Sequence, residues 1–365
     1  MATRRHVLQA AAGLAASATF SRGFAANASP GKTLLILGGT GFIGPHLTRE
    51  AKAHGWTVTH FNRGKHESAD AQDVETLHGD RNGQLDALRG RKWDAVVDNT
   101  GYVPKYVKMS TDLLAPNAGY CLYISSISAY DSFEKPNDES SPVGKLDDPQ
   151  TEKVTGETYG PMKALCEQYI SEAFRGRSSI VRPGYIVGPL DPTDRFTYWP
   201  VRVSRGGEML GPGTARDPIQ IVDVRDLAAF MIKLVDARTT GIYNAVSPAN
   251  AFTMGDILKA GAAEAGKSAA KVTWVSEDFL GKQWDLEKVD LAPWSPMKGK
   301  YAGASLTSSA RAIKAGLKTR SMQETVHDTM KWFASLPEDR RAKLKAGVDP
   351  KQETDALAAW RARTA

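Results

Sequence analysis

Residues 33–44 read TLLILGGTGFIG, and this stretch decides the fold. Five mostly apolar residues, 33–37, suit a strand buried on both faces. Glycines follow at Gly38, Gly41 and Gly44, and residues 45–53 have helical character. The first glycine permits a tight turn. The second lets backbone approach a pyrophosphate with no Cβ between them, and the third lets helix and strand pack closely. The helix start offers free N–H groups and the positive end of its dipole to phosphates. A glycine-rich turn alone would say little. Placed directly after an apolar strand, it predicts a dinucleotide held around Gly38, Thr40, Gly41, Phe42, Ile43 and Gly44.

The pattern continues on the C-terminal side. Residues 57–62 read as the second strand, which ends Asn62-Arg63-Gly64 with no acid. An acid there would bond the adenosine ribose 2′-hydroxyl, whereas an arginine accommodates a 2′-phosphate. Asn62 and Arg63 therefore favour NADP over NAD, although an arginine in a surface turn reads the same way. Asp80, after a short third strand, is placed to reach the adenine edge. Residues 93–100 form a fourth strand whose polar end, Asn99 and Thr100, falls where strands meet ligand. Residues 120–125 form a fifth, a helix spans about 157–174 with Pro161 in its first turn, and 179–182 is a sixth strand. Apolar strands alternating with helices at this spacing predict an α/β fold, a Rossmann-type doubly wound parallel sheet.

Beyond Gly188 the pattern loosens, with prolines at 189, 192, 200, 212 and 218. Short elements near 220–224, 226–235 and 242–246 suggest a return to the sheet. The expected organisation is a cofactor domain over 29–188, a smaller, mainly substrate-binding region over 189–335, and a charged peripheral tail over 336–365. Residues 190–213 and 271–303 are the expected substrate-binding stretches. Arg195, Tyr198, Trp199 and Arg202 are candidates for gripping a small molecule, through aromatic faces for sugar or phenolic rings and through guanidinium groups. Ordinary packing of the loop onto the sheet is an equal reading for Tyr198 and Trp199.

The 365 residues carry 47 Lys and Arg against 41 Asp and Glu, a net charge of +6. Three of the basic residues, Arg4, Arg5 and Arg22, stand in the first 28 residues, which hold no acid. The remaining +3 is too small to indicate nucleic acid or an anionic membrane. Two cysteines, Cys121 and Cys166, do not make a disulfide framework and read as buried free thiols. No metal-ligand cluster stands out in the sequence. Residues 1–28 resemble a twin-arginine signal peptide: Arg4-Arg5 in the motif, a weakly apolar stretch over 10–20, and Ala26-Asn27-Ala28 as a cleavage site. The apolar stretch is too short and mild for a stable membrane anchor. The expectation is export to the periplasm by the twin-arginine machinery, which carries folded proteins.

Tyr159 and Lys163 lie four apart on a predicted helix, so their side chains share one face. A nearby ammonium favours the phenolate and lowers the phenol pKa. Lys163 can also hold ribose hydroxyls of the cofactor. Ser126, just past the fifth strand, can bond and orient the substrate oxygen. A bare Tyr-x-x-x-Lys is common on solvated helices. In the order glycine turn, Ser-Ser at a strand end, Tyr-x-x-x-Lys, it points to proton transfer coupled to hydride transfer.

The chain resembles an extended short-chain dehydrogenase/reductase of the NAD-dependent epimerase/dehydratase type. The resemblance rests on residues 38–44, on 123–130 (YISSISAY), 159–163 (YGPMK), 181–184 (VRPG), 187–189 (VGP) and 222–227 (VDVRDL), and covers most of 33–335. It implies Ser126, Tyr159 and Lys163 as the catalytic set, with Ser125 and Pro183 on the cofactor side. The run from Gly316 to Trp332 resembles bacterial relatives labelled 2′-hydroxyisoflavone-reductase-like. Sugar-nucleotide dehydratases place Asp-Glu directly after the catalytic Ser/Thr, whereas here Ile127-Ser128 follows, which disfavours water elimination. Relatives often dimerise through the helix that carries the tyrosine, so a homodimer is an expectation.

Export narrows the chemistry. Outside the cytoplasm there is no free NADPH pool, so the cofactor should be retained and restored within each cycle. Epimerisation or exchange between two substrates does this. The expected activity is an NAD(P)-dependent oxidoreductase or epimerase acting on a secondary alcohol or ketone. The competing reading is a non-catalytic cofactor- or RNA-binding protein on the same fold, which the presence of Ser126, Tyr159 and Lys163 and the modest charge disfavour.

Overall fold

The computed structural model describes residues 31–65 and 72–363. The signal-peptide expectation falls on residues outside these. The strands are β1 (Thr33–Leu37), β2 (Thr57–Asn62), β3 (Glu75–His78), β4 (Ala95–Asp98), β5 (Cys121–Ile124), β6 (Ser178–Pro183), β7 (Tyr185–Val187), β8 (Glu208–Pro212), β9 (Pro218–Ile219), β10 (Ile221–Asp223), β11 (Gly241–Ala245), β12 (Phe252–Thr253) and β13 (Lys271–Val275). The helices are α1 (Ile43–Ala53), α2 (Pro104–Leu114), α3 (Gly156–Ala173), α4 (Tyr198–Ser204), α5 (Val224–Ala237), α6 (Met254–Ala265), α7 (Glu277–Gln283), α8 (Ala310–Lys314), α9 (Met322–Ala334), α10 (Glu338–Ala342) and α11 (Pro350–Ala362).

Seven strands form the main sheet in the order β11-β6-β5-β4-β1-β2-β3. Every neighbouring pair in it is parallel. The order reverses between β1 and β4, and ligands bind in the crevice at such a switch point. The strand sequences explain the two-sided burial. Leu34 and Ile36 of β1 face the core that contains Leu47, Ala51 and Leu227 from α1 and α5. Leu35 and Leu37 face the other core, with Val107, Leu114, Cys166 and Ile170 from α2 and α3. Successive side chains point to opposite faces, so an unbroken apolar run is what a strand covered on both sides needs. Cys121 and Cys166 are both buried and free.

A third core gathers β7, β9 and β10 with α4, α6 and α9. β11 rejoins the main sheet beside β6. The tail does not behave as a peripheral appendage. Ala356 and Leu357 of α11 pack with Leu210, Val275 and Leu280. Glu353 is 5% exposed; it accepts from Arg202 at 2.8 Å and from the Leu210 N–H at 2.9 Å.

The start of α3 corrects the reading of Pro161. Thr155 and Thr158 form a reciprocal capping box that begins the helix at Gly156, so Pro161 sits in the second turn. The first helical bond there is Tyr159 N–H to the Thr155 carbonyl, at 3.0 Å. The missing N–H of Pro161 leaves the Glu157 carbonyl without its helical partner. That costs little at an exposed helix start.

Candidate active site

The glycine turn forms one wall of a cleft of about 370 Å³, lined also by Asn62, Arg63, Asp80 and Thr100. Gly38 has φ +89, and a Cβ there would lie 2.0 Å from the Thr100 side chain. A Cβ on Gly44 would lie 2.3 Å from the Gly39 backbone, so helix and turn touch at that glycine. A Cβ on Gly41 would meet nothing within 4 Å, so this face of the turn opens onto the cleft. Nδ2 of Asn62 is buried with no hydrogen-bond partner. An open glycine face at a helix start, beside an unsatisfied amide, is a fitting cradle for the phosphates and ribose of a dinucleotide. Arg63 is 56% exposed with Nη1 4.0 Å from Asp80, and Lys65 stands on the same rim. Phe42 turns away from this cleft and lines a neighbouring cavity.

Beneath the cleft, Arg81 donates to both oxygens of Asp98, at 2.6 and 2.7 Å. Asp98 is 2% exposed. The sequence reading stopped at Asp80 and missed this pair; an arginine next to the turn aspartate, with an aspartate inside an apolar strand, was its only signal.

Ser126 and Tyr159 line one cavity of about 960 Å³. Ser126 comes from the end of β5 and caps the short 3-10 turn that follows, accepting from the Ser128 N–H. Tyr159 comes from the first turns of α3. Burial raises the Tyr159 pKa and the neighbouring Tyr102 adds to this, while a hydrogen bond with Ser126 and the Arg195 charge pull it back. Lys163, expected to favour the phenolate, makes its hydrogen bonds elsewhere. Its Nζ donates to the carbonyls of Gly101 and Ile124, at 2.7 and 2.5 Å. It lies 4.3 Å from the Tyr123 ring centre and 5.3 Å from that of Tyr102. Burial lowers the Lys163 pKa to about 8. Phenol and ammonium share a helix face, but the ammonium is engaged with the strand ends.

Ser125 is also placed differently. Its hydroxyl is 2.5 Å from Glu167, which is held by Arg182 at 2.8 and 2.6 Å. Arg182 and Glu167 are 2% and 6% exposed, so Ser125 belongs to a buried network rather than to the cleft lining. Pro183 is the last residue of β6 and buried, directly before Gly184, which does line the large cavity. Ile43 opens α1 and packs against the core.

Of the four substrate candidates only Arg195 reaches the cavity. Tyr198 and Trp199 are 4% and 0% exposed in the third core, and the Trp199 indole donates to the Ala292 carbonyl at 2.8 Å. Arg202 pairs with Glu353 and two backbone carbonyls. Their helix, α4, packs against α6, so its aromatic face is core. The cavity walls instead use Tyr130, Phe133, Lys145, Tyr185 and Tyr301. Tyr130, Phe133 and Lys145 lie on loops, Tyr185 on the three-residue β7 and Tyr301 in a short 3-10 turn, all too short for periodicity to place them. Among the described residues no group of His, Cys, Asp and Glu is arranged to hold a metal, and no helix is long and apolar enough to cross a membrane.

The sequence pattern of the NAD dependent epimerase/dehydratase family matches residues 34–245. No curated protein matches the chain. Among solved structures, a putative epimerase from Burkholderia cenocepacia J2315 has a TM-score of 0.58 at 19% identity, covering 86% of this chain and 99% of that one. The Bordetella bronchiseptica enzyme WbmH, in complex with NAD+, has a TM-score of 0.58 at 17% identity, covering 83% and 98%. UDP-N-acetylglucosamine 4-epimerase from Bacillus cereus has a TM-score of 0.60 at 17% identity, covering 84% and 98%. At these identities the likeness speaks for the fold alone.

Proposed function

The chain belongs to the NAD-dependent epimerase/dehydratase family, and from that premise we propose that it is an NAD(P)-dependent oxidoreductase or epimerase acting on a secondary alcohol or ketone of a sugar-like or phenolic small molecule. The observation that carries this reading is Tyr159 and Ser126 meeting at the wall of one large cavity, with Lys163 buried one helical turn away. When bound, the cofactor supplies the hydride acceptor or donor. The protein's own residues supply binding and the proton. Gly38, Thr40, Gly41 and Asn62 would hold the dinucleotide, with Arg63 and Lys65 beside a 2′-phosphate, which favours NADP.

Ser126 orients the substrate oxygen by hydrogen bond. Tyr159 as the phenol, the form that burial favours, gives its proton to a carbonyl oxygen during reduction; for oxidation the phenol first releases its proton to solvent, and the phenolate then takes the alcohol's proton and returns it when the ketone is reduced. Lys163 ties α3, the helix that carries Tyr159, to the carbonyls of Gly101 and Ile124 and so holds the phenol in place. Epimerisation uses both directions in one cycle and consumes no free cofactor. This suits a protein exported folded, through the twin-arginine route, to the periplasm, the localisation proposed here from Arg4-Arg5 and the cleavage site at 26–28.

The test is the cofactor itself. Full-length protein is expressed, recovered from the periplasm and denatured, and released nucleotide is identified by mass spectrometry. Stoichiometric NADP is the expected result. A chain recovered empty that binds dinucleotide only weakly would remove the retained-cofactor reading.

A further inference from the structure

The cofactor cleft and the large cavity share no lining residue, yet hydride transfer requires one dinucleotide to occupy both. The strand ends order its path. In the parallel sheet β1 lies between β2 and β4, and β5 follows β4. Asn62 ends β2, the glycine turn follows β1, Thr100 and Tyr102 follow β4, and Ser126 follows β5. A dinucleotide with its 2′-phosphate at Arg63 and its nicotinamide at Ser126 and Tyr159 runs along this edge and passes the end of β4. There the two walls meet at two rings. Tyr102 belongs to the cleft and Tyr159 to the cavity, and their ring centres lie 6.3 Å apart with the planes tilted by 37°.

Tyr102 stands on a fixed backbone. The Gly101 carbonyl just before it accepts from the Tyr123 hydroxyl at 2.8 Å and from Lys163 Nζ at 2.7 Å. The Cys166 thiol reaches the Tyr102 carbonyl at 3.9 Å, and α2 begins two residues later at Pro104. The side chain is left open: Tyr102 is 48% exposed. Of the exposed large apolar side chains among the described residues, Tyr102, Met109, Val154 and Ile313, it alone lines the cleft. A ring half-bare in a concave site, on a main chain held this firmly, offers a rigid apolar surface to whatever enters. We propose that Tyr102 is a cofactor-contacting residue, its ring the shelf on which the nicotinamide half of the dinucleotide rests between the cleft and Tyr159. The inference rests on the dinucleotide reading above and adds to it a residue that the sequence patterns did not single out.

The probes are NADP+ and 2′,5′-ADP, which carries the adenine half alone, titrated by calorimetry into the full chain. Tyr102→Ala should weaken NADP+ by at least about tenfold, the worth of covering one aromatic side chain, and 2′,5′-ADP by less than about twofold. NAD+ against ADP should show the same contrast, so the result does not depend on the 2′-phosphate. Tyr102→Phe keeps the ring and should hold NADP+ affinity within about threefold of the unaltered protein. Unchanged NADP+ affinity in Tyr102→Ala overturns the shelf. So does an equal loss for NADP+ and 2′,5′-ADP, which is what a merely structural role gives, or a Phe variant as weak as the Ala variant. A second measurement decides even if Tyr102→Ala does not fold. In protein with ¹³C-labelled tyrosine rings, the Tyr102 resonance, assigned with Tyr102→Phe, should shift on binding NADP+ and stay in place with 2′,5′-ADP; no shift with NADP+ overturns the shelf. Failure of the unaltered protein to bind any dinucleotide would remove the cofactor reading itself, whereas a bound dinucleotide without these contrasts removes the shelf alone.

Discussion

His60 lies beneath the glycine turn and ties acid stability to it. The side chain is fully buried on β2. Its Nε2 is 2.8 Å from the Thr48 hydroxyl, which in turn donates to the Gly44 carbonyl at 2.9 Å. Nδ1 has no partner, and a Cβ on Gly39 would strike the ring. Burial lowers the His60 pKa from 6.5 to about 4. The folded protein therefore holds His60 neutral at pH values where the unfolded chain protonates it. Its contribution is fully present above the unfolded pKa and is lost as pH falls towards the folded one. Linkage between these two values gives a loss of about 2 kcal/mol at pH 5 and about 3 kcal/mol at pH 4, relative to pH 7. His60→Phe keeps a ring in the space and removes the titration. The lost hydrogen bond to Thr48 costs about 1 kcal/mol at pH 7. Urea unfolding of both proteins at pH 7, 5 and 4 measures the difference. On acidification the wild type should lose more stability than His60→Phe by these same amounts, so that the two curves converge and cross as pH falls. Parallel curves would refute the assignment of this acid sensitivity to His60.

Three other outcomes follow from the site. Tyr159→Phe should lower turnover by about 10²–10⁴-fold, the usual value of a positioned acid or base, with dinucleotide affinity unchanged; steady-state rates and a binding titration check it. Arg63→Ala should weaken NADP+ about tenfold or more, the worth of one charge-assisted hydrogen bond, and leave NAD+ nearly untouched; calorimetry with both nucleotides reads the contrast. Glu167→Gln leaves Arg182 buried beside a neutral partner and should destabilise by about 3 kcal/mol or more, seen as a fall in the denaturant midpoint at unchanged slope.

The cofactor half was legible because its signals are local. An apolar run, three spaced glycines and a helix start occupy twelve consecutive residues, and each strand that follows repeats the apolar pattern. Tyr159 and Lys163 were legible for the same reason, as two positions on one helix. What Lys163 does was not, because its partners, Gly101 and Ile124, come from the ends of other strands. Tyr198, Trp199 and Arg202 illustrate the opposite error. An aromatic pair near prolines and arginines reads as a binding surface, but packing of α4 on α6 and the Glu353 carboxylate from the far end of the chain claim all three. The capping box at Thr155 and Thr158 is a short-range signal that could have placed the start of α3. The cavity walls at Tyr130, Tyr185 and Tyr301 are brought together from segments far apart in the chain, Tyr185 by pairing of β7 with β10, which no short window of sequence encodes.

The separation along the chain of the two cavities that serve the proposed reaction sets a timetable for synthesis. The cofactor cleft draws its last wall residue from Val107, and β11, which completes the sheet behind the site, ends at Ala245. The large cavity waits for Ser305. At about 5–20 residues per second, those intervening residues take on the order of 3–12 seconds to emerge. During that interval a growing chain presents a finished nucleotide cradle with no roof over the reacting end. Loading a cofactor is then a matter of entry from an open side rather than passage through a closed wall.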